Sequence, residues 1–268
     1  VATDTVVQFA RNDGQGRFTL AGAYDDFAGY FYSLCAADYD NDHDLDIYFC
    51  GYDDRQRGSM GGVLPIPLPY HDANNGKANV LLRNEGGFRF EDVTRQVGLD
   101  VNKRRFSLAA AWEDFDNDGD QDLYVANDFG RNCLYRNDDG HFTDIAAAAG
   151  VEDHASGMSV SWGDYNRDGW MDLYISNMFS AAGNRVTYQR QFGDGLSRPT
   201  VANLQRMARG NTLFLNRGDG TFQDVSESAA VTMGRWAWAS RFADLNNDGY
   251  QDLFVANGYV TTDDTGDL

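Results

Sequence analysis

The chain of 268 residues contains only three cysteines. That number is too small for the disulfide framework that holds many secreted domains together. When the repeats described below are aligned with one another, mostly small residues stand opposite two of the three cysteines. We therefore expect Cys35, Cys50 and Cys133 to be small packing residues, with a disulfide between two of them as the alternative.

Histidines and catalytic motifs are also scarce. The four histidines fall in unrelated loop or turn contexts, at His43, His71, His141 and His154. The sequence contains no Gly-x-Ser-x-Gly motif of the kind that presents a nucleophilic serine. Sequence patterns therefore give little support to an enzyme.

Basic residues are in deficit, with 22 Lys and Arg against 41 Asp and Glu, which gives a net charge of −19. Nucleic acids bind through positive protein charge, so this balance argues against a nucleic-acid partner. Apolar runs are short as well, and none approaches the roughly 20 residues of a membrane-spanning helix. We expect no transmembrane segment.

Many of the acidic residues fall in four nine-residue segments of nearly identical sequence. Oxygen-bearing side chains occupy positions 1, 3, 5 and 9, and position 6 holds a turn-forming residue, glycine in three copies and His43 in the first. A short loop needs this arrangement to surround a hard cation such as Ca²⁺. Without an ion the carboxylates would repel, at about 4 kcal/mol for one pair near a protein surface. We predict about four Ca²⁺ ions, with His43 weakening the first site. The candidate metal ligands are positions 1, 3, 5, 7 and 9 of each loop: Asp38, Asp40, Asp42, Asp44 and Asp46; Asp114, Asp116, Asp118, Asp120 and Asp122; Asp164, Asn166, Asp168, Trp170 and Asp172; Asp244, Asn246, Asp248, Tyr250 and Asp252.

The residues that follow each loop exclude an EF-hand. An EF-hand needs a bidentate Glu at position 12, where these loops have Phe49, Val125, Ile175 and Val255. Short apolar runs rich in β-branched and aromatic residues surround those positions, which is typical of buried strands. Each loop is therefore predicted to close a β-hairpin.

A second hairpin is predicted between successive loops. A Leu-x-x-Asn segment is followed by a Gly-rich turn and a phenylalanine, at Phe90, Phe142 and Phe222, and Phe18 occupies the matching place near the start of the chain. Asn and Gly supply the positive backbone angles of a tight turn, and the phenylalanine is expected to bury one face of the returning strand. Two hairpins make a four-stranded unit. The cleanest loop spacing, 50 residues, indicates propeller blades or a solenoid.

Two insertions interrupt this period, at residues 52–78 and 178–210. The first contains three of the four prolines, in a predicted extended stretch from Val63 to Tyr70. The second contains a predicted helix from about Pro199 to Arg209, ended by Gly210. Both fall between the second and third strands of a unit. We expect them to project from the face opposite the calcium loops, where radial β folds commonly hold partners.

The pattern Asp-x-Asp/Asn-x-Asp-Gly-x-x-Asp-Leu between two strands resembles the FG-GAP/VCBS repeat of integrin α-subunit propellers. The linking units that begin at Phe90, Phe142 and Phe222 and read Phe-x-Asp-Val/Ile are similar to those of secreted, cartilage-acidic-protein-like members that often precede an ASPIC/UnbV domain. The resemblance covers nearly the whole chain outside the insertions. It implies a calcium-bound β-propeller, usually of seven blades, in an extracellular binding or adhesion protein.

The predicted fold class is therefore all-β, a propeller of four-stranded antiparallel blades in a single domain over residues 1–268. We expect blade modules at about 21–98, 99–151, 152–231, and 232–268 together with 1–20. The first and last parts each supply half a blade. Either they share a fourth blade in a closed ring, which would remove exposed sheet edges, or the chain is part of a larger propeller, which the resemblance favours.

We interpret the chain as a non-catalytic, calcium-stabilised module that binds a protein or carbohydrate partner through the face bearing the insertions. Calcium loops of extracellular modules bind at roughly 10⁻⁴ to 10⁻³ M, which favours an extracellular, cell-surface or periplasmic location. The alternative function is a propeller domain of, or accessory to, a secreted polysaccharide-degrading enzyme.

The second insertion carries several arginines and a single acid, Asp194, in an otherwise acidic chain. Such a patch can bind an acidic glycan or protein through charge-assisted hydrogen bonds. Alternatively, its arginines can pair with the chain's own carboxylates. The candidate partner-binding residues are Arg185, Arg190, Arg198, Arg206 and Arg209.

Overall fold

The computed structural model describes residues 6–25, 30–53 and 66–258. Within these residues the chain forms mainly β-strands with three helices. The strands are β1 (Val7–Asn12), β2 (Phe18–Tyr24), β3 (Tyr30–Ala37), β4 (Asp46–Asp53), β5 (Val80–Asn84), β6 (Phe90–Asp92), β7 (Ser107–Glu113), β8 (Asp122–Asn127), β9 (Cys133–Asp138), β10 (His141–Asp144), β11 (Gly157–Gly163), β12 (Asp172–Asn177), β13 (Thr212–Asn216), β14 (Phe222–Asp224), β15 (Ala237–Ala243) and β16 (Asp252–Asn257). The helices are α1 (Ala146–Ala149), α2 (Ala181–Thr187) and α3 (Arg198–Arg209).

The strands form three antiparallel four-stranded sheets, each in simple sequence order. Blade 1 contains β3 to β6, blade 2 contains β7 to β10, and blade 3 contains β11 to β14. Two further hairpins, β1–β2 and β15–β16, are separate two-stranded sheets. Small sheets of this kind are consistent with the blades of a β-propeller, and both predicted hairpins of each blade are present.

Each acidic loop connects the first and second strands of a blade and turns by backbone conformations that the sequence favours. Position 4 has a positive φ of 59° to 63° in all four loops, and it holds Asn in three of them. Asn tolerates this left-handed conformation better than most residues. Position 6 is also left-handed, and His43 adopts it with a φ of 74°. His43 therefore takes the place of the turn glycine, as predicted.

Neighbouring blades pack through a repeated aromatic contact. The tyrosine two residues after each of the first two loops meets an aromatic ring of the next blade: Tyr48 meets Trp112 and Tyr124 meets Trp162, both edge to face, with ring centroids 6.3 and 6.2 Å apart. Such pairs add about 0.5–1.5 kcal/mol beyond the area they bury. These tryptophans are thus core residues, as expected from the sequence.

The cysteines lie in the same core. Cys50 and Cys133 are buried, Cys35 packs beside them between blades 1 and 2, and all three are free thiols. Their expected role as small packing residues is confirmed.

The two terminal hairpins do not complete one another in the described residues. The β1–β2 hairpin packs on blade 1, where Phe9 stacks on Phe90 with ring centroids 4.2 Å apart. The β15–β16 hairpin packs on blade 3, where Phe242 meets Tyr174. Among the residues that the structure describes, these two hairpins therefore belong to separate sheets and do not share a blade.

Phe18 corrects the expectation that each hairpin phenylalanine is buried. Phe142 and Phe222 are buried because they contact the loop residues Tyr39 and Phe115 of the preceding blade. Phe18 is 67% exposed. No preceding blade lies beside β1–β2 in the described part of the chain, so its ring has no equivalent surface.

Both insertions leave their blades between the second and third strands, as predicted, on the side opposite the loops. Residues 63–65 of the expected extended stretch lie outside the described residues, and the rest is not uniformly extended, because the chain bends at Leu68 and Pro69 and turns at Tyr70. The predicted helix in the second insertion is confirmed as α3, with Ser197 as its N-cap. The shorter α2 was not predicted. No described helix has the length and apolarity that a membrane span requires.

Candidate calcium loops and the insertion face

The first aspartate of each loop organises the turn. Its two carboxylate oxygens accept hydrogen bonds from the backbone N–H groups of positions 5 and 6, at 2.9 to 3.1 Å in every copy. The position-5 carboxylate in turn accepts from the backbone of position 7, the residue that varies among Asp44, Asp120, Trp170 and Tyr250. The loops are therefore folded around their own acids.

In each of the three four-stranded blades, the position-9 aspartate joins the acidic loop to the third strand. In blade 2 the Asp122 carboxylate accepts from the backbone N–H groups of Asn137 at 2.8 Å and Phe115 at 3.2 Å. Asp46, Asp122 and Asp172 are all fully buried. Burial raises the pKa of Asp46 to about 6, of Asp122 to about 8 and of Asp172 to about 7. These groups gain from a nearby positive charge because burial disfavours their ionised form.

The first two loops contain oxygen atoms placed as cation ligands. Carboxylate oxygens of Asp38, Asp40 and Asp42 lie within 4.8 Å of one another, and so do those of Asp114, Asp116 and Asp122. One oxygen each of Asp40 and Asp116 is buried without a hydrogen-bond partner in the described residues. Buried polar atoms are nearly always paired. Hard, anionic oxygens that lack a proton donor fit a Ca²⁺ ion.

Loops 3 and 4 reduce their charge with an amide at position 3. The Asn166 amide nitrogen donates to Asp168 at 2.8 Å, and the Asn246 amide nitrogen donates to Asp248 at 2.9 Å. Loops 1 and 2 have aspartate in this place, and burial together with the neighbouring charges of Asp118 and Asp114 raises the pKa of Asp116. The four loops thus differ in how much negative charge they concentrate.

Adjacent loops touch through position 4, a feature that the sequence analysis missed. The Asn41 amide donates to the Asp120 carboxylate at 2.9 Å, and the Asn117 amide donates to the Gly169 carbonyl at 3.3 Å. The Arg167 guanidinium lies 5.2 Å from the centroid of the Tyr250 ring. Position 4 of each of the first three loops therefore contacts position 6 or 7 of the next loop. The recurrence of Asn at position 4 was the available signal in the sequence.

On the opposite side of the blades, the five candidate arginines of the second insertion separate into two groups. Arg206 pairs with Asp153 at 2.7 Å and with Asp224 at 2.5 Å, and Arg209 pairs with Asp224 at 2.9 Å. These two arginines fix α3 to blade 3. The other three are exposed and form no ion pair within the described residues: Arg185, Arg190 and Arg198.

Two cavities lie against the second insertion. One, of about 410 Å³, is lined in part by Arg206, which pairs there with Asp153 and Asp224. The other, of about 250 Å³, lies between the two insertions and the approach to β15. Trp236 lines this second cavity and is 38% exposed.

The chain is thus a repeat protein built from propeller-type blades with acidic loops at one end. Two segments, residues 114–175 and 192–255, match the family model of the FG-GAP-like repeat. They contain loops 2, 3 and 4. Among curated proteins there is no significant match. Among solved structures, the chain is similar to an Agrocybe aegerita lectin studied for specific recognition of non-reducing terminal N-acetylglucosamine, with 16% identity, a TM-score of 0.35, and coverage of 94% of this chain and 75% of the lectin.

Proposed function

We propose that the chain is a non-catalytic, calcium-stabilised binding module that works outside the cell, at its surface or in the periplasm. Its blades form a scaffold stiffened by Ca²⁺ in the four acidic loops, and its insertions present a binding face for a protein or carbohydrate partner. The observation that carries this proposal is made in loops 1 and 2, where carboxylate oxygens converge and one buried oxygen each of Asp40 and Asp116 has no hydrogen-bond donor among the described residues.

The FG-GAP-like repeat matches support a propeller that serves binding. The external location follows from expected affinity. Loops of this type bind at roughly 10⁻⁴ to 10⁻³ M, so external calcium would fill them, whereas the much lower calcium level of a cytosol would not. The ions would also remove about eight of the 19 net negative charges.

Chelation tests the calcium part of the proposal. With dissociation constants in that range, about 2 mM Ca²⁺ stabilises a folded protein by about 0.7–1.8 kcal/mol per site. Four sites give about 3–7 kcal/mol, or a melting temperature about 5 to 25 °C higher than in EDTA for a protein of this size. Magnesium should replace calcium poorly because it prefers a smaller octahedral shell. Equal melting temperatures in calcium and in EDTA would refute the proposal.

A further inference from the structure

The cavity between the two insertions, which we name the insertion cleft, is lined mainly by apolar side chains. They come from three separate parts of the chain: Tyr70 from the first insertion, Met178, Phe179, Leu204 and Met207 from the second, and Trp236 before β15. The repeat does not specify these residues, because the insertions interrupt it. The cleft is therefore a feature particular to this chain.

Backbone contacts hold the walls of the insertion cleft in place. Phe179 donates its backbone N–H to the Arg235 carbonyl at 2.8 Å, and Ser180 donates to the Ala208 carbonyl at 3.2 Å. The Asn184 side-chain amide also donates to the Ala208 carbonyl, at 2.8 Å. These bonds join α2 to α3, and they join the segment before α2 to the segment before β15. The cleft is thus preformed, as small binding sites usually are.

The size and chemistry of the cleft favour one apolar side chain over a sugar. Its volume of about 250 Å³ is below the range of pockets that enclose a whole drug-sized ligand, roughly 300–1,000 Å³. The described residues that line it include no carboxylate, amide or guanidinium. Of its two serines, Ser180 already accepts a bond from Gly183 at 2.9 Å. Sugar hydroxyls buried there would lose hydrogen bonds to water without replacement, at about 1–3 kcal/mol each.

The two helices that contribute to the cleft, and the segment between them, also carry exposed cationic and apolar side chains. Arg185 lies on α2 and Arg198 on α3, the helices whose residues line the cleft, and Arg190 lies between them. All three are exposed without an ion pair in the described residues, in a chain of net charge −19. Tyr188, between the two helices, is 70% exposed. Such a local excess of positive charge attracts an acidic partner.

We infer that the insertion cleft receives an aromatic or aliphatic side chain from an acidic segment of a partner protein, whose carboxylates meet Arg185, Arg190 and Arg198. The inference rests on the proposed function and assigns its binding face a site and a partner chemistry. The apolar anchor provides desolvated contact and the arginines provide orientation and charge selection.

Fluorescence anisotropy with a labelled peptide tests the inference. The probe has a central Leu-Phe pair flanked on each side by three glutamates. Comparison peptides replace Leu-Phe with Ser-Ser or the glutamates with lysines. We expect saturable, salt-sensitive binding of the first peptide only. The triple variant R185Q/R190Q/R198Q should weaken it by about tenfold or more, whereas R17Q/R95Q/R217Q, which removes exposed arginines elsewhere, should not change it.

The cleft itself is tested by Leu204→Ser, and by Tyr70→Ser at the exposed wall in case the first variant fails to fold. Both substitutions should weaken the binding of the Leu-Phe peptide. The inference would be overturned if the Leu-Phe peptide did not bind at millimolar concentration, or if the Ser-Ser peptide bound equally well. Tight binding of polygalacturonate that depends on the same arginines would also overturn it, in favour of an acidic glycan. Melting temperatures in calcium and in EDTA separate the two proposals. Absence of peptide binding with an intact calcium response refutes only the proposed peptide site in the cleft. Peptide binding without a calcium response refutes only the proposed calcium scaffold.

Discussion

Position 3 of the acidic loops allows a test in which two substitutions act in opposite directions. One Asp116 oxygen is buried without a hydrogen-bond partner in the described residues, whereas the Asn166 amide donates to Asp168 at 2.8 Å. Without calcium, Asp116→Asn should therefore relieve repulsion in loop 2, and Asn166→Asp should create repulsion in loop 3. With calcium, an aspartate at this position becomes an anionic ligand, so the order should reverse.

The structure bounds the size of this effect. Two carboxylate charges 4.8 Å apart, the limit of the Asp114, Asp116 and Asp122 cluster, repel by about 1 kcal/mol in water and by about 3 kcal/mol at an effective dielectric constant of 20. Because both position-3 residues are partly exposed, screening favours the lower value. That corresponds to about 2–4 °C in melting temperature in EDTA. The lost ligand charge should lower calcium affinity of the Asp116→Asn loop by about tenfold.

Differential scanning fluorimetry in EDTA and in about 2 mM Ca²⁺ measures both quantities. The calcium-induced rise in melting temperature should shrink for Asp116→Asn and grow for Asn166→Asp. Asp194→Asn is the control, since it removes the same charge from an exposed site far along the chain from any loop. A shift of both position-3 variants in the same direction in EDTA, or an unchanged calcium response in both, would refute the reasoning.

Three further outcomes follow from the structure. Asp72→Asn should destabilise the protein by about 2–3 kcal/mol in urea titration. The reason is that Asp72, which lies in the first insertion, pairs at 2.6 Å with Arg105 and with Arg131. An Asp72→Asn protein as stable as the parent would contradict this. Burial alone would raise the pKa of Asp72, but these two arginines hold it well below its ordinary value, so its contribution is present above about pH 4 and is lost as the pH falls further, which acid titration of stability detects. Asn117→Ala removes the contact with Gly169 and should make calcium binding to loops 2 and 3 less cooperative in calorimetry; identical isotherms would show that the contact does not couple them.

The sequence was sufficient for the strand plan because its signals are local. Apolar runs, turn residues and the 50-residue spacing act within one hairpin, and the structure confirms the hairpins that they predict. Phe18 was misjudged because its burial depends on a preceding blade. The local sequence pattern cannot supply that information, since Phe142 is buried and Phe18, at the equivalent place in its hairpin, is exposed.

The position-9 aspartates show a role that ligand spacing does not reveal. Spacing alone assigns Asp122 to a metal site. In the structure its carboxylate also accepts backbone N–H groups from Phe115 and Asn137, and the Asn137 amide donates to the Tyr39 carbonyl of the preceding blade at 2.8 Å. The same carboxylate therefore joins its loop, its blade and, through Asn137, the preceding blade. Asp122→Ala should consequently destabilise the protein in EDTA as well as in calcium, in contrast to Asp116→Asn.

The arginines of the second insertion lead to a related conclusion about the binding face. From the sequence, one cationic patch could bind a partner or pair with the chain's own acids. The structure shows the second role for two of these residues, because Arg206 and Arg209 reach Asp153 and Asp224, which lie 15 or more positions away along the chain. Their ion pairs hold α3 against blade 3. A preformed helix reduces the entropy lost on binding, so in the proposed binding face the ion pairs of Arg206 and Arg209 would prepare the surface on which Arg185, Arg190 and Arg198 act.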